Sequence, residues 1–459
     1  MKKEHKVTRR EFMQLSAGFG LVAALGRLQI ASAASAGSAT AAPDYKALVC
    51  VFMFGGNDGH NMVVPFDNTQ YAAYTTARGA LALPANQLLP INDAAQGAFA
   101  LHYGLPDLAP LYQQSKIAIV ANVGMLVRPT TFADFQNANQ LPTNLRSHAD
   151  QVQQMQTGIP NSFGASGWGG RTVDLMQTAN SGTTFPVSIS MNGTSLFCFG
   201  NLAQAASLQP GNELDQAAFG SFAAPGPQAV ATAQQQILAA GSSNSLIQAA
   251  NNQMTGALAL NPLLKAAAGA PTFKTVFPDT DIGNQLKEVA RLIDLRSQIG
   301  AGRQVFFVGL SGFDTHGGES YQQWALLTQV SAAIAAFYDA TVEMGIANNV
   351  TSFTLSDFGR TLQPSGSGSD HGWGNHHLVA GGAVAGGKIY GKFPLMTNYA
   401  NFNSTNEDFA DNRGVMLPGL SLSQYGATLA KWFGASDSQL DSVFPTLSNF
   451  SVRDLGFLN

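Results

Sequence analysis

Five short runs of β-rich apolar residues recur along the chain, at Ala47–Phe54, Ile117–Val123, Val187–Met191, Val305–Leu310 and Val350–Leu355. Their continuous apolar character, without strict alternation, predicts strands covered on both faces. Between the last two runs, within Tyr321–Met344, the residues Trp324, Leu327, Val330, Ile334, Phe337 and Tyr338 fall at helical spacing. Strand, helix and strand in that order predict a βαβ unit with parallel strands. Ile282, Leu286, Val289 and Ile293 mark a second amphipathic helix leading into the Val305 run. Tyr425, Leu429, Trp432 and Phe433 mark a third over Gln424–Phe433, with Gly434 as its stop. The expected fold is α/β, a largely parallel central sheet sandwiched by helices.

Two stretches depart from this pattern. Residues 201–270 are rich in Ala, Gln, Asn and Ser and are broken by Pro210-Gly211 and Pro225-Gly226-Pro227, which predicts a helical insertion or cap on the core. At the N-terminus, Lys2, Lys3 and Lys6 lead into Thr8-Arg9-Arg10-Glu11-Phe12-Met13 and an apolar stretch reaching Leu25. Small residues follow at Ala31-Ser32-Ala33 and Ala34-Ser35-Ala36. This order predicts a twin-arginine signal peptide over 1–33, cleaved after Ala33 or as late as Ala36, then a linker over 34–44 and a single domain over 45–459. The apolar stretch is interrupted by Gly18, Gly20, Gly26 and Arg27 and falls short of the roughly 18 to 20 residues that span a bilayer. The expected location is periplasmic or extracellular, with no integral membrane segment in the mature chain.

Composition narrows the partners. Six basic and two acidic residues lie in 1–33, leaving 18 basic against 26 acidic, a formal charge of −8. An acidic surface repels phosphate backbones and anionic lipid, which argues against nucleic acid or a membrane surface as partner. An anionic substrate would then need local positive charge, which a metal ion can supply. The two cysteines, Cys50 and Cys198, lie in apolar, strand-like runs, where a free thiol serves as a small hydrophobe.

Ligand-type side chains follow the strand runs, and in open α/β sheets sites form at the carboxyl ends of strands. The first run ends in Gly55-Gly56-Asn57-Asp58-Gly59-His60, where Asp58 is either a ligand or a turn residue. The fourth ends in Phe313-Asp314-Thr315-His316-Gly317. Residues two apart in extended chain point the same way, so Asp314 and His316 can reach one ion or, alternatively, cap a helix. The fifth ends in Ser356-Asp357-Phe358-Gly359-Arg360 and runs into a glycine-rich loop ending Asp370-His371-Gly372-Trp373-Gly374-Asn375-His376-His377. Four of the eight histidines lie at 316 or within 371–377, and a bound cation is the simplest way to order such a loop. Ser147 stands at the start of a helix, as N-cap or nucleophile, with Arg146, His148 and Arg360 as candidates for holding an oxyanion.

These segments, followed by Gly381-Gly382-Ala383-Val384, resemble the family called domain of unknown function 1501, in the same order and over nearly the whole mature chain. That family is similar to sulfatases and alkaline phosphatases, so the resemblance implies a fold of that kind. It also implies a divalent metal site, zinc first with calcium, magnesium or manganese as alternatives, holding one or two ions. The implied ligands are Asp58, Asp314, His316, Asp357 and a late histidine, His371 or else His376 or His377; the implied nucleophile is Ser147. Phe358 stands where the family pattern has a histidine, which favours fewer ligands. The implied activity is hydrolysis or transfer on a phosphate or sulfate ester, of a small molecule or a polymer. The competing expectation is a non-catalytic exported protein that binds another exported protein and keeps the metal site for structure.

Overall fold

The computed structural model describes residues 44–161, 164–183, 185–210, 236, 271–403 and 405–459. Apart from Gln236 these belong to one compact unit. Its strands are β1 (Lys46–Phe54), β2 (Val63–Pro65), β3 (Leu89–Asp93), β4 (Gly97–Leu101), β5 (Ile117–Gly124), β6 (Ser188–Ser190), β7 (Ala205–Ser207), β8 (Arg303–Ser311), β9 (Val350–Ser356), β10 (Asn375–Gly381), β11 (Lys388–Tyr390) and β12 (Leu420–Ser421). The longer helices are α1 (Asn68–Arg78), α2 (His148–Thr157), α3 (Trp168–Asp174), α4 (Asp281–Asp294), α5 (Glu319–Glu343) and α6 (Leu422–Phe433).

The main sheet runs β11-β5-β10-β9-β1-β8-β6-β7, with β12 beside β5. β1 is central and parallel to both neighbours, Val49 lying opposite Phe306 of β8 and Ser352 of β9. The chain reaches β9 from β8 through α5, a crossover that straddles β1. Alternate residues of β1 feed two separate cores. Ala47, Val49, Val51 and Met53 pack with Leu286 and Val289 of α4 and with Leu327, Ile334 and Phe337 of α5. Leu48, Cys50 and Phe52 pack with Trp168 of α3 and with Tyr425, Leu429 and Phe433 of α6. Burial on both faces is why the strand sequences read as unbroken apolar runs, and each such side chain contributes about 1.5–3 kcal/mol.

The fold class matches the expectation, with informative differences. Within 201–270, the described start contains a strand, β7; the rest of the expected insertion, Gln236 aside, and the expected N-terminal leader lie outside the described residues. Cys198 sits in a short 3-10 turn, Leu196–Cys198, and both cysteines are free and buried. The glycine-rich loop ends earlier than expected: β10 starts at Asn375 and runs antiparallel between β5 and β9, drawing His376 and His377 into the sheet. A second sheet, β2-β4-β3, is antiparallel and was not foreseen, since its strands are three to five residues long and carry Pro65 and Pro90. By length and composition α5 is apolar enough to cross a bilayer. Here it serves as a core helix, with Leu327, Val330, Ile334 and Phe337 against α4 and the sheet.

β1, β8 and β9 end at one edge, Phe54 level with Ser311 and Met53 with Ser356. Antiparallel β10 begins at that same edge, and the first residue of α2, His148, is brought beside Asp357, which directly follows β9.

Candidate metal centre

Close backbone turns bring the strand ends together. Gly55 and Gly56 have φ of 113° and 83°, and a Cβ on Gly55 would fall 2.3 Å from the Asp314 nitrogen. Only glycine fits there. The Gly55 N–H donates to both carboxylate oxygens of Asp357 at 3.2 Å.

Above this turn four ligand-type atoms are linked by short contacts: Nε2 of His148, His316 and His371, and Oδ1 of Asp314. The histidine nitrogens of 148 and 316 each lie 3.0 Å from that of His371. Asp314 Oδ1 is 3.4, 3.0 and 3.3 Å from His148, His316 and His371. These donors fall into two groups of three that share His371, namely His148, Asp314 and His371, and His316, Asp370 and His371, each with its ligand atoms within 4.8 Å of one another and so close enough to share one ion. Side-chain exposures of 49% for His316 and 46% for Asp314, against 19% for His371, leave one side open to solvent.

Hydrogen bonds behind the cluster set the tautomers. His371 Nδ1 lies 2.7 Å from the Arg146 carbonyl oxygen, which only accepts, so Nδ1 carries the ring proton. Burial holds this imidazole below its usual pKa, which favours the neutral ring with its lone pair on Nε2. His148 Nδ1 donates to Asp357 at 2.7 Å, and that hydrogen bond raises the His148 pKa, making its Nε2 a stronger electron donor. Two such nitrogens 3.0 Å apart require a positive centre between them, a proton or a metal ion. Burial would raise the Asp314 carboxyl, but hydrogen bonding from Arg360 and the charges of His148, Arg360 and His316 outweigh it and keep the group below the usual carboxylate range. Phe358 packs 4.8 Å, ring to ring, from both His148 and His371, and so walls the imidazoles from behind.

The structure places the remaining expected residues differently. Asp357 faces the ring nitrogen behind His148 rather than the cluster, and His148, expected to hold an oxyanion, is in the cluster itself. Asp58 is fully buried, accepts the His60 N–H at 3.1 Å as the cap of a short helical turn, and is paired with Arg78. Arg78 also binds Glu319 at 2.6 Å, so one guanidinium serves two carboxylates, burial raises the Asp58 carboxyl well above its usual range, and Asp58 is not brought to the cluster. His376 is in the core, its Nδ1 accepting the Asn122 N–H at 3.0 Å and its ring stacked on Phe393; burial lowers its pKa to about 3. Ser147 caps α2 and its hydroxyl donates to Asp150. Arg360 is fully buried, donating to Asp314, to the Gly55 carbonyl and to Ser369. The Arg146 carbonyl and the Gly55 N–H carry no side-chain signal, so sequence reasoning could not have found their part.

Beside the cluster lies a groove of about 580 Å³ lined by Phe54, Gly55, His148, Ala149, Val152, Gln153, Gly312, Asp314 and Asp357. Another concavity of about 490 Å³, between Asn192, Asp281 and Lys287, holds no imidazole.

Fold and site together define an α/β protein with a candidate metal centre at the carboxyl ends of its parallel strands. The chain belongs to the family described as protein of unknown function DUF1501, which matches residues 45–443. Comparison with the curated proteins gives no match. Among solved structures it is similar to the C-terminal periplasmic domain of EcEptC from Escherichia coli in complex with zinc, at 12% identity and a TM-score of 0.35, covering 91% of this chain and 88% of that one. It is also similar to Ps i-CgsB in complex with k-i-k-neocarrahexaose, at 11% identity and a TM-score of 0.33 over 88% and 77% of the two chains. A third is the PsFucS1 sulfatase from Pseudoalteromonas sp., at 9% identity and a TM-score of 0.31 over 82% and 73%.

Proposed function

We propose that this protein is an exported, metal-dependent hydrolase or transferase acting on phosphate or sulfate esters. The observation that carries this reading is that His148 and His316 each lie 3.0 Å from His371 and all three face Asp314, with the outer nitrogens of two of the imidazoles already hydrogen-bonded. Three nitrogens and one oxygen suit zinc better than magnesium or calcium, which favour all-oxygen sets. One ion is assigned, because the described groups that could hold a metal all share His371. When bound, a divalent ion supplies Lewis acidity, polarising an ester oxygen and acidifying water.

The chain's own residues perform the rest. Asp357 and the Arg146 carbonyl fix which nitrogens face the ion, and Arg360 holds Asp314 in place. Gly55 and Gly312 keep side chains out of the approach. Ser147 is committed to Asp150, so water arriving through the groove is the nucleophile we assign. Export by the twin-arginine route belongs to the same proposal, since that route carries folded proteins and this centre exists only after folding.

The test is zinc content and turnover of chromogenic phosphate and sulfate esters by the mature chain. Asp314→Ala should lose both; unchanged metal loading would remove the ligand assignment. A second reading, a non-catalytic binding protein with a structural ion, is favoured by the lack of any hydroxyl side chain lining the groove among the described residues. It predicts full zinc loading with no turnover.

A further inference from the structure

The groove beside the cluster has an unusual balance of charge for a site handling anionic esters. Its walls are Phe54, Ala149 and Val152, with the uncharged Gln153 and the bare backbone of Gly312. Phe54 is itself fixed by ring contacts with Phe52 and Phe307. The charged or titratable residues on the lining are His148, Asp314 and Asp357, and no Lys or Arg is among them.

The arginines nearby are committed elsewhere. Arg360 is fully buried and spends its donors on Asp314, the Gly55 carbonyl and Ser369. Arg146 pairs with Asp411 at 2.6 Å and Arg413 with Asp370 at 2.7 Å. Arg78 is buried between Asp58 and Glu319. A divalent ion and Arg360, set against Asp314 and Asp357, leave one net positive charge for whatever enters. That neutralises one negative charge and not two, and uncompensated charge in a partly buried site is expensive.

From this, and resting on the hydrolase reading above, we propose that the substrate is a tetrahedral ester that presents a single negative charge to the centre and an apolar aryl or alkyl arm to the groove. Sulfate monoesters and phosphate diesters have that charge; phosphate monoesters, dianionic at neutral pH, do not. The apolar arm lies along Phe54 and Val152, and the charged group meets the cluster at Asp314 and His148.

The experiment uses the full mature chain loaded with cobalt, whose visible spectrum reports ligands entering the centre. It is titrated at pH 8 with phenylphosphonate, a dianion, and with its monomethyl ester, a monoanion bearing the same ring; neither is a chromogenic substrate. The monoester is expected to perturb the spectrum at a concentration about tenfold lower or less. Gln153→Arg, which adds a cation to the groove wall, is expected to narrow that ratio about tenfold. Tighter binding of the dianion, equal binding of both, no perturbation by either, or a ratio unmoved by Gln153→Arg overturns the proposal. Turnover of 4-nitrophenyl sulfate and bis(4-nitrophenyl) phosphate is measured separately. Absent turnover with the expected binding order removes the hydrolase reading and leaves the charge selectivity standing.

Discussion

At the scale of residues, the centre depends on two kinds of side chain that sequence cannot separate. That Asp314 and His316 meet, at 3.0 Å, was legible because they stand two residues apart just after a strand. The positions of His148 and Asp357 were not, because they are 209 residues apart and their relation arises only when α2 docks on the end of β9. His148 turns Nε2 towards His371 while Asp357 holds its Nδ1, a distinction created by hydrogen bonding. Asp357→Asn should therefore keep the fold and weaken zinc binding by about 10- to 100-fold, with Asp314→Ala weakening it more. Competition with a chromogenic chelator reads both. Equal effects would make Asp357 a direct ligand.

At the scale of elements, the apolar runs located five strands to within two residues at either end, because burial on both faces leaves a signal that survives in short windows. The antiparallel β10 was hidden by the glycines before it and by two consecutive histidines, a pattern with no β-branched character. Buried charge was likewise hidden: Asp58, Arg78, Glu319, Ser369 and Arg360 connect α1, α5 and the loop before β10 inside the protein, all of them fully buried. Such a chain is sensitive to losing one member, since the partners keep their desolvated charges. Arg78→Met should cost about 3–5 kcal/mol in denaturant unfolding, far more than loss of an exposed pair such as Lys392 with Glu407. A cost below about 1 kcal/mol would show the carboxylates to be relieved by protonation.

At the scale of the whole molecule, acid should be the chain's weakness. Burial lowers His102, His376 and His377 to about 3 in the folded state. The unfolded chain takes up their protons near pH 6.5, so the stabilisation is complete above that value and is lost as pH falls from about 6.5 towards 3. Each contributes up to about 1.4 kcal/mol per pH unit in that window. Urea midpoints measured from pH 7 to 4 should fall accordingly, and His377→Phe should reduce the slope by one proton; a flat profile would show these rings charged in the native core. The proposed twin-arginine export makes a separate prediction, that replacing Arg9 and Arg10 with lysine stops export while leaving folding intact, read by cell fractionation. The central claim, one ion held by three imidazoles and a carboxylate, is tested most directly by anomalous scattering at the zinc edge from crystals of the mature protein. One peak is predicted, about 2.0–2.1 Å from Nε2 of His148, His316 and His371 and from Oδ1 of Asp314. A peak at Asp58 or His376, or none at the cluster in zinc-soaked crystals, would contradict it.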